Sequence, residues 1–191
     1  RELLKGKGKW CYCDEVDITN IKNNFKDGCK IAVMAKMGTF KLNDFVEIGD
    51  TELSLGKIAF YQGIFPLALE HFSKAERLFG EHDLTGSALN LSWNALIQLK
   101  LNKQLSGDFS ADNLVELIET SDISERDVIP LNWNMHQIFT ILKNNEEADN
   151  YLENAYIELR HQSKRIKNKK NRTSFLNNIK LHKKIVEKWK M

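Results

Sequence analysis

Only two prolines and ten glycines stand in a chain of 191 residues. A β-sandwich needs a turn signal about every 8–12 residues, and this composition cannot supply them. Collagen-like and proline-rich linker architectures fall for the same reason. No apolar stretch approaches the roughly 20 residues that a membrane-spanning helix requires, so no membrane role is expected. Disorder is excluded from the other side, because 42% hydrophobic against 28% charged residues is the balance of a chain that buries a core. The three cysteines, Cys11, Cys13 and Cys29, are an odd count and build no disulfide framework. Reduced thiols in a cytoplasmic setting are the expectation. As zinc ligands they fit poorly: the usual pairs are Cys-x2-Cys or wider, and no fourth ligand sits nearby at metal spacing. No cofactor is expected.

Catalytic patterns are also missing. Gly6-x-Gly8 lies in a lysine-rich start with no strand before it, which is not a phosphate loop. The histidines His71, His82, His136, His161 and His182 show neither metalloprotease spacing nor a nucleophile motif. His71 and His136 fall in expected helices and read as packed or surface groups. Acids such as Glu146-Glu147 and Glu47/Asp50 read as favourable charge at helix N-termini. The chain is expected not to be an enzyme. It opens Arg1-Glu2-Leu3-Leu4 without an initiator methionine or a signal core, so the expectation is either a piece cut from something larger or a chain whose first residues are missing.

What is present is self-similarity. Leu53-Ser54-Leu55-Gly56 recurs as Leu91-Ser92-Trp93-Asn94 and as Leu131-Asn132-Trp133-Asn134, at spacings of 38 and 40 residues. Such periods point to stacked supersecondary units that cannot bury their apolar faces alone. Within each unit the period is helical. Leu53, Leu55, Ile58, Ala59 and Phe60 fall on one broad face before Gln62-Gly63. Leu67, Ala68, Phe72, Ala75, Leu78 and Phe79 then recur at three- and four-residue spacings until Gly80. Pro66 fits the first turn of that second helix. Later units read as Ala88–Leu101 with Ala111–Ile118, and Ile129–Leu142 with Glu146–Leu159. Ala148, Leu152 and Ala155 repeat the spacing of Ala68, Phe72 and Ala75.

The first unit resembles a tetratricopeptide repeat (TPR), carried by Leu55-Gly56, Gly63, Ala68-x3-Phe72 and Ala75. It departs from that pattern at Glu52, Ala59 and Gly80, where the family has Trp, Tyr and Pro. The tail from Arg172 through Phe175-Leu176 and Ile179 to Trp189 is similar to the terminal helix that closes the TPR arrays of large bacterial signalling proteins, in which an array accompanies a cyclase, kinase or ATPase module. The resemblance implies an all-α, right-handed superhelix of helix–turn–helix repeats with a C-terminal capping helix. On this reading residues 1–48 are a degenerate helical pair, 49–166 hold about three repeats, and 167–191 form the basic cap. It also implies a non-catalytic module that binds a protein or peptide, or another domain of its own chain, through the concave face. Mapping the family positions places Lys57 and Tyr61 on that face in the first unit and Gln98 in the second. The carboxylate clamp of chaperone-binding TPR domains is not implied, because Leu53 and Lys57 hold its positions.

The net charge of +2 hides a split. From Leu159 to Met191 twelve Lys or Arg face one acid, Glu187, a net of +11; the preceding residues hold sixteen basic and twenty-five acidic groups, a net of −9. Lys164, Arg165, Lys167, Lys169, Lys170 and Arg172 form the densest run. Phosphate binding by counterion release is one use for it, but no aromatics interleave the run. A solvated face, or docking on an acidic neighbour, is the preferred expectation over nucleic acid. Joining two copies into a homodimer is a further option.

Overall fold

The computed structural model describes residues 45–80, 83–102, 105 and 110–190. The short helix expected over 17–25, the apolar run Cys29–Met37 and all three cysteines lie outside these residues. The described residues are all-α, with no strand among them. Eight helices follow in order: α1 (Phe45–Tyr61), α2 (Phe65–Phe79), α3 (Leu84–Asn102), α4 (Ala111–Thr120), α5 (Glu125–Ile141), α6 (Asn145–Arg165), α7 (Lys169–Asn177) and α8 (Lys180–Trp189).

Two long antiparallel hairpins frame the array: α1 with α2, and α5 with α6. In the first, small residues on α1 meet rings on α2. A Cβ on Gly49 would stand 2.6 Å from the Phe79 ring, and one on Gly56 would press still deeper into Phe72. Both phenylalanines are fully buried, with Ala68 and Ala75 between them. The close approach therefore excludes any larger residue at the crossing. Ile64 N–H donates to the Ala59 carbonyl at 3.0 Å across the turn, with Gly63 in the left-handed region at φ 78°.

The second long hairpin closes with the same bond, Asn144 N–H to the Phe139 carbonyl at 3.0 Å. Lys143 (φ 62°) stands where the first turn has Gly63. Counted from these bonds, the hairpins are 80 residues apart (Ile64 to Asn144). Ala68, Phe72 and Ala75 then correspond to Ala148, Leu152 and Ala155, as their spacing predicts. The Leu-x-[Leu/Trp]-[Gly/Asn] recurrence does not hold this register. It spans 78 residues, and the residue in the place of Gly56 is His136 rather than Asn134. The physical reason is that turn hydrogen bonds fix the pairing, while α5 is buried on several sides (Asp127, Ile129, Leu131, Asn134, Met135, His136, Ile138, Phe139). Its apolar positions therefore match at more than one offset.

Corrected for register, the two hairpins fill the same space differently. At the 80-residue offset the places of Gly56 and Phe72 are held by His136 and Leu152, and those of Gly49 and Phe79 by Ile129 and Leu159, which share one core. The His136 Nδ1–H donates to the Ala148 carbonyl at 2.8 Å, so its ring is buried with its polar edge satisfied.

Between the hairpins runs α3, whose Ala88, Leu89, Trp93, Ala95, Leu96, Ile97 and Leu99 are all buried. It touches α1, α2, α4 and α5. A polar seam sets its register. Asn90 Nδ2 donates to Glu76 at 2.8 Å and to the Phe72 carbonyl at 2.9 Å, and the Ser87 hydroxyl also reaches Glu76. On the other side Asn134 Nδ2 donates to Ser92 Oγ at 2.9 Å, and Thr85 Oγ1 to the Asp122 carbonyl at 3.0 Å. These pairings make α1, α3 and α5 run parallel.

The tail departs from the single capping helix expected over 167–191. It forms two helices, α7 and α8, broken at Asn178-Ile179. The division follows from burial: α7 buries no residue, whereas α8 buries His182 and Ile185. Ile185 joins Leu152, Ala155 and Leu159 in a second core, with Phe175, Leu176, Leu181 and Val186 half-buried against it. Trp189 stacks on Tyr156 with ring centroids 5.0 Å apart. His182 Nδ1–H donates to the Phe175 carbonyl at 2.8 Å, which pins the bend.

Candidate protein-interaction site

Lys57 and Tyr61 lie one turn apart at the C-terminal end of α1, so helical spacing places them on one face. Tyr61 stands edge-on to Phe60 and to Trp93 of α3, with centroids 5.5 and 5.7 Å apart. Trp93 in turn lies 5.0 Å from Phe60 and 6.4 Å from Phe72. Lys100 places its Nζ 5.8 Å over the Phe60 ring, within cation–π reach. Partial burial in this aromatic nest pushes the Tyr61 phenol up to about 12. Lys57 is half-buried.

Gln98 is not brought into the same patch. Tyr61 finds its ring partner on α3 in Trp93, five residues earlier. Gln98 is half-buried beside the buried Leu96, Ile97 and Leu99.

The missed feature is a row at the edge of the array. Tyr61, Leu101 and Ile141 stand at or one residue before the C-terminal ends of the three parallel helices, at intervals of 40 residues, and are 37%, 51% and 38% exposed. Ile64 and Leu142, in the adjoining turns, are exposed as well. The signal for this row was in the sequence, but only when counted back from Gly63 and Lys143 instead of from the Leu-x-[Leu/Trp]-[Gly/Asn] motif.

The basic residues separate by use. Arg165 pairs with Glu125 across the α5–α6 hairpin. Arg172 donates to the Ile166 carbonyl from Nε at 3.1 Å and Nη2 at 2.9 Å, clamping the α6–α7 link. Lys164, Lys167, Lys169 and Lys170 are exposed. Lys169 and Lys170 open α7, where the helix dipole disfavours cations by about 0.3–1 kcal/mol each. On α8, burial first, and then the charges of Lys180 and Lys100, hold the Lys184 ammonium below its ordinary value.

Glu52 is buried with His71 Nδ1 at 2.6 Å, and His136 is spent on Ala148. Among the described residues no three His, Cys, Asp or Glu side chains converge as metal ligands, and no helix is long and apolar enough to cross a membrane. No protein-family model, curated protein or solved structure matches the chain.

Proposed function

We propose that this chain is a non-catalytic protein-interaction module of the TPR kind, a superhelical array that acts in the cytoplasm as the regulatory or docking arm of a larger signalling protein. The observation that carries the reading is the open row Tyr61, Leu101 and Ile141 at the ends of three parallel helices. Exposed apolar residues in a regular line, beside Lys57, Lys100 and Lys143, offer a partner peptide anchors at fixed spacing with cations between them. Buried Glu52–His71 and His136–Ala148 leave the titratable groups engaged in packing, which supports binding over chemistry. Panning a phage-displayed random-peptide library tests it. Selected peptides should bind the native chain and lose at least about tenfold in affinity against Tyr61→Ala or Leu101→Ser. Equal enrichment on the wild type and both variants refutes the reading.

A second reading is favoured by one observation, the lysines at the start of α7. Placed against the dipole, Lys169 and Lys170 leave a helix N-terminus where an anion gains from both amide groups and ammonium charges. Nucleic-acid binding through Lys164, Lys167, Lys169 and Lys170 would appear as anisotropy changes on a labelled oligonucleotide that fall steeply with salt. Charge-neutral variants at these four positions that bind equally well remove it.

A further inference from the structure

We infer that the row Tyr61, Leu101 and Ile141 receives an acidic, proline-rich segment in the polyproline II conformation, an inference that rests on reading the row as a partner-binding edge. The shape of the ligand follows from the step between anchors. α1 packs on α3, and α3 on α5, and packed helices stand about 8–10 Å apart axis to axis. A β-strand returns to one face after about 6.6 Å or about 13 Å, too short or too long for that step. Polyproline II has three residues per turn and a rise of about 3.1 Å, so every third residue returns to one face after about 9.3 Å. An α-helix comes close as well, with about 10.5 Å for seven residues.

A second observation separates the two. Trp93 is buried among the rings of Phe60, Tyr61 and Phe72, and its indole Nε1–H finds no acceptor among the described residues. Buried donors are almost always paired, and an indole N–H can only donate. What it lacks is a carbonyl. An α-helix spends its carbonyls on its own N–H groups except in the last turn. Polyproline II has no internal hydrogen bonds and leaves every carbonyl open. Tyr61, edge-on to Trp93 at 71° and partly exposed, is the ring that turns aside to admit one. The charge of the ligand follows from the lysines. Lys100 Nζ stands 5.8 Å over Phe60, and Lys143 is exposed in the turn after α5. After burial and the charge of Lys180, the charge of Lys100 helps to hold the Lys184 ammonium below its ordinary value. α8 therefore brings cations within electrostatic reach of the same end of α3, and acids on the ligand complement them.

A labelled peptide repeating Leu-Pro-Asp, titrated with the full chain and read by fluorescence anisotropy, tests this. It should bind at least about tenfold more tightly than a Leu-Ala-Asp repeat, which loses the conformation, or a Leu-Pro-Lys repeat, which reverses the charge. Trp93→Phe keeps a ring, removes the N–H and should weaken binding about tenfold. Lys100→Gln with Lys184→Gln, both at exposed positions, should weaken it at least about fivefold and flatten its salt dependence. That pair guards against a Trp93 variant that fails to fold. Equal binding of the three peptides, or affinity untouched by both sets of substitutions, overturns the proposal. So does a random library that yields Tyr61-dependent peptides without proline and acid, in which case the row remains a binding edge with another ligand. A library that yields no Tyr61-dependent binder overturns the wider reading as well.

Discussion

Replacing Gly56 by alanine tests the packing of the first hairpin at its tightest point. In an exposed helix interior this change is favourable by about 1 kcal/mol, because alanine loses less backbone freedom. Here the new methyl group would enter the Phe72 ring. Phe72 has no room to retreat: it is fully buried and stacks on Trp93 at 6.4 Å with an interplanar angle of 22°. Restoring van der Waals distance requires α1 and α2 to part by on the order of 1 Å, an overpacking that costs about 2–3 kcal/mol. The net expectation is a loss of about 1–2 kcal/mol, or roughly 2–8 °C in Tm for a chain of this size. Urea denaturation followed by circular dichroism measures it. Phe72→Leu makes room at the same point, so the double variant should be more stable than additivity predicts by about 1 kcal/mol. A Gly56→Ala protein as stable as the wild type, or strict additivity in the cycle, would refute the argument.

Other consequences are open to measurement. Burial pushes the phenols of Tyr61 and Tyr151 up to about 12, with Glu147 and Glu119 adding to the effect at Tyr151. The unfolded chain ionises near 10, so stability from these two residues is intact below about pH 10 and declines as pH rises toward 12. Tyrosinate absorbance should show a late-titrating component, part of which is lost in each of Tyr61→Phe and Tyr151→Phe; a curve left unchanged by both substitutions would contradict this. Asn134→Ala removes the donor to Ser92 and should cost about 1–3 kcal/mol in denaturant melts. Ile185→Ala should cost about 2–4 kcal/mol and strip exchange protection from α7 and α8 while α1 and α2 keep theirs.

The helical class was legible because it rests on local signals. Apolar spacing of three and four, Gly63, Pro66 and Gly80 together locate α1 and α2 to within a turn at most ends. Ala68, Phe72 and Ala75 announced the tight crossing, and Ala148, Leu152 and Ala155 its counterpart. Long-range register was not legible. Ser92 and Asn134 carry the bond between units, and they sit inside the very motif whose recurrence is two residues out of step with the turns. Gln98 is half-buried on a helix that touches four others, and such long-range packing is a property of the whole array. The break at Asn178-Ile179 was hidden for a related reason: His182 gains its partner, the Phe175 carbonyl, only when the chain bends there. Of the six basic positions, sequence could not separate Arg165 and Arg172, which act as ties, from the lysines.

The different division of space in the two long hairpins has a bearing on recombination. Phe72 needs the emptiness of Gly56, whereas the same place on α5 holds the larger His136. A crossover inside a hairpin, at residues 62–64 or 142–144, would join α1 to α6 and leave a void, or join α5 to α2 and force His136 into a phenylalanine ring. A crossover between hairpins carries each pair away whole. Exchanges of sequence that keep this chain folded are therefore expected to move both helices of a hairpin together.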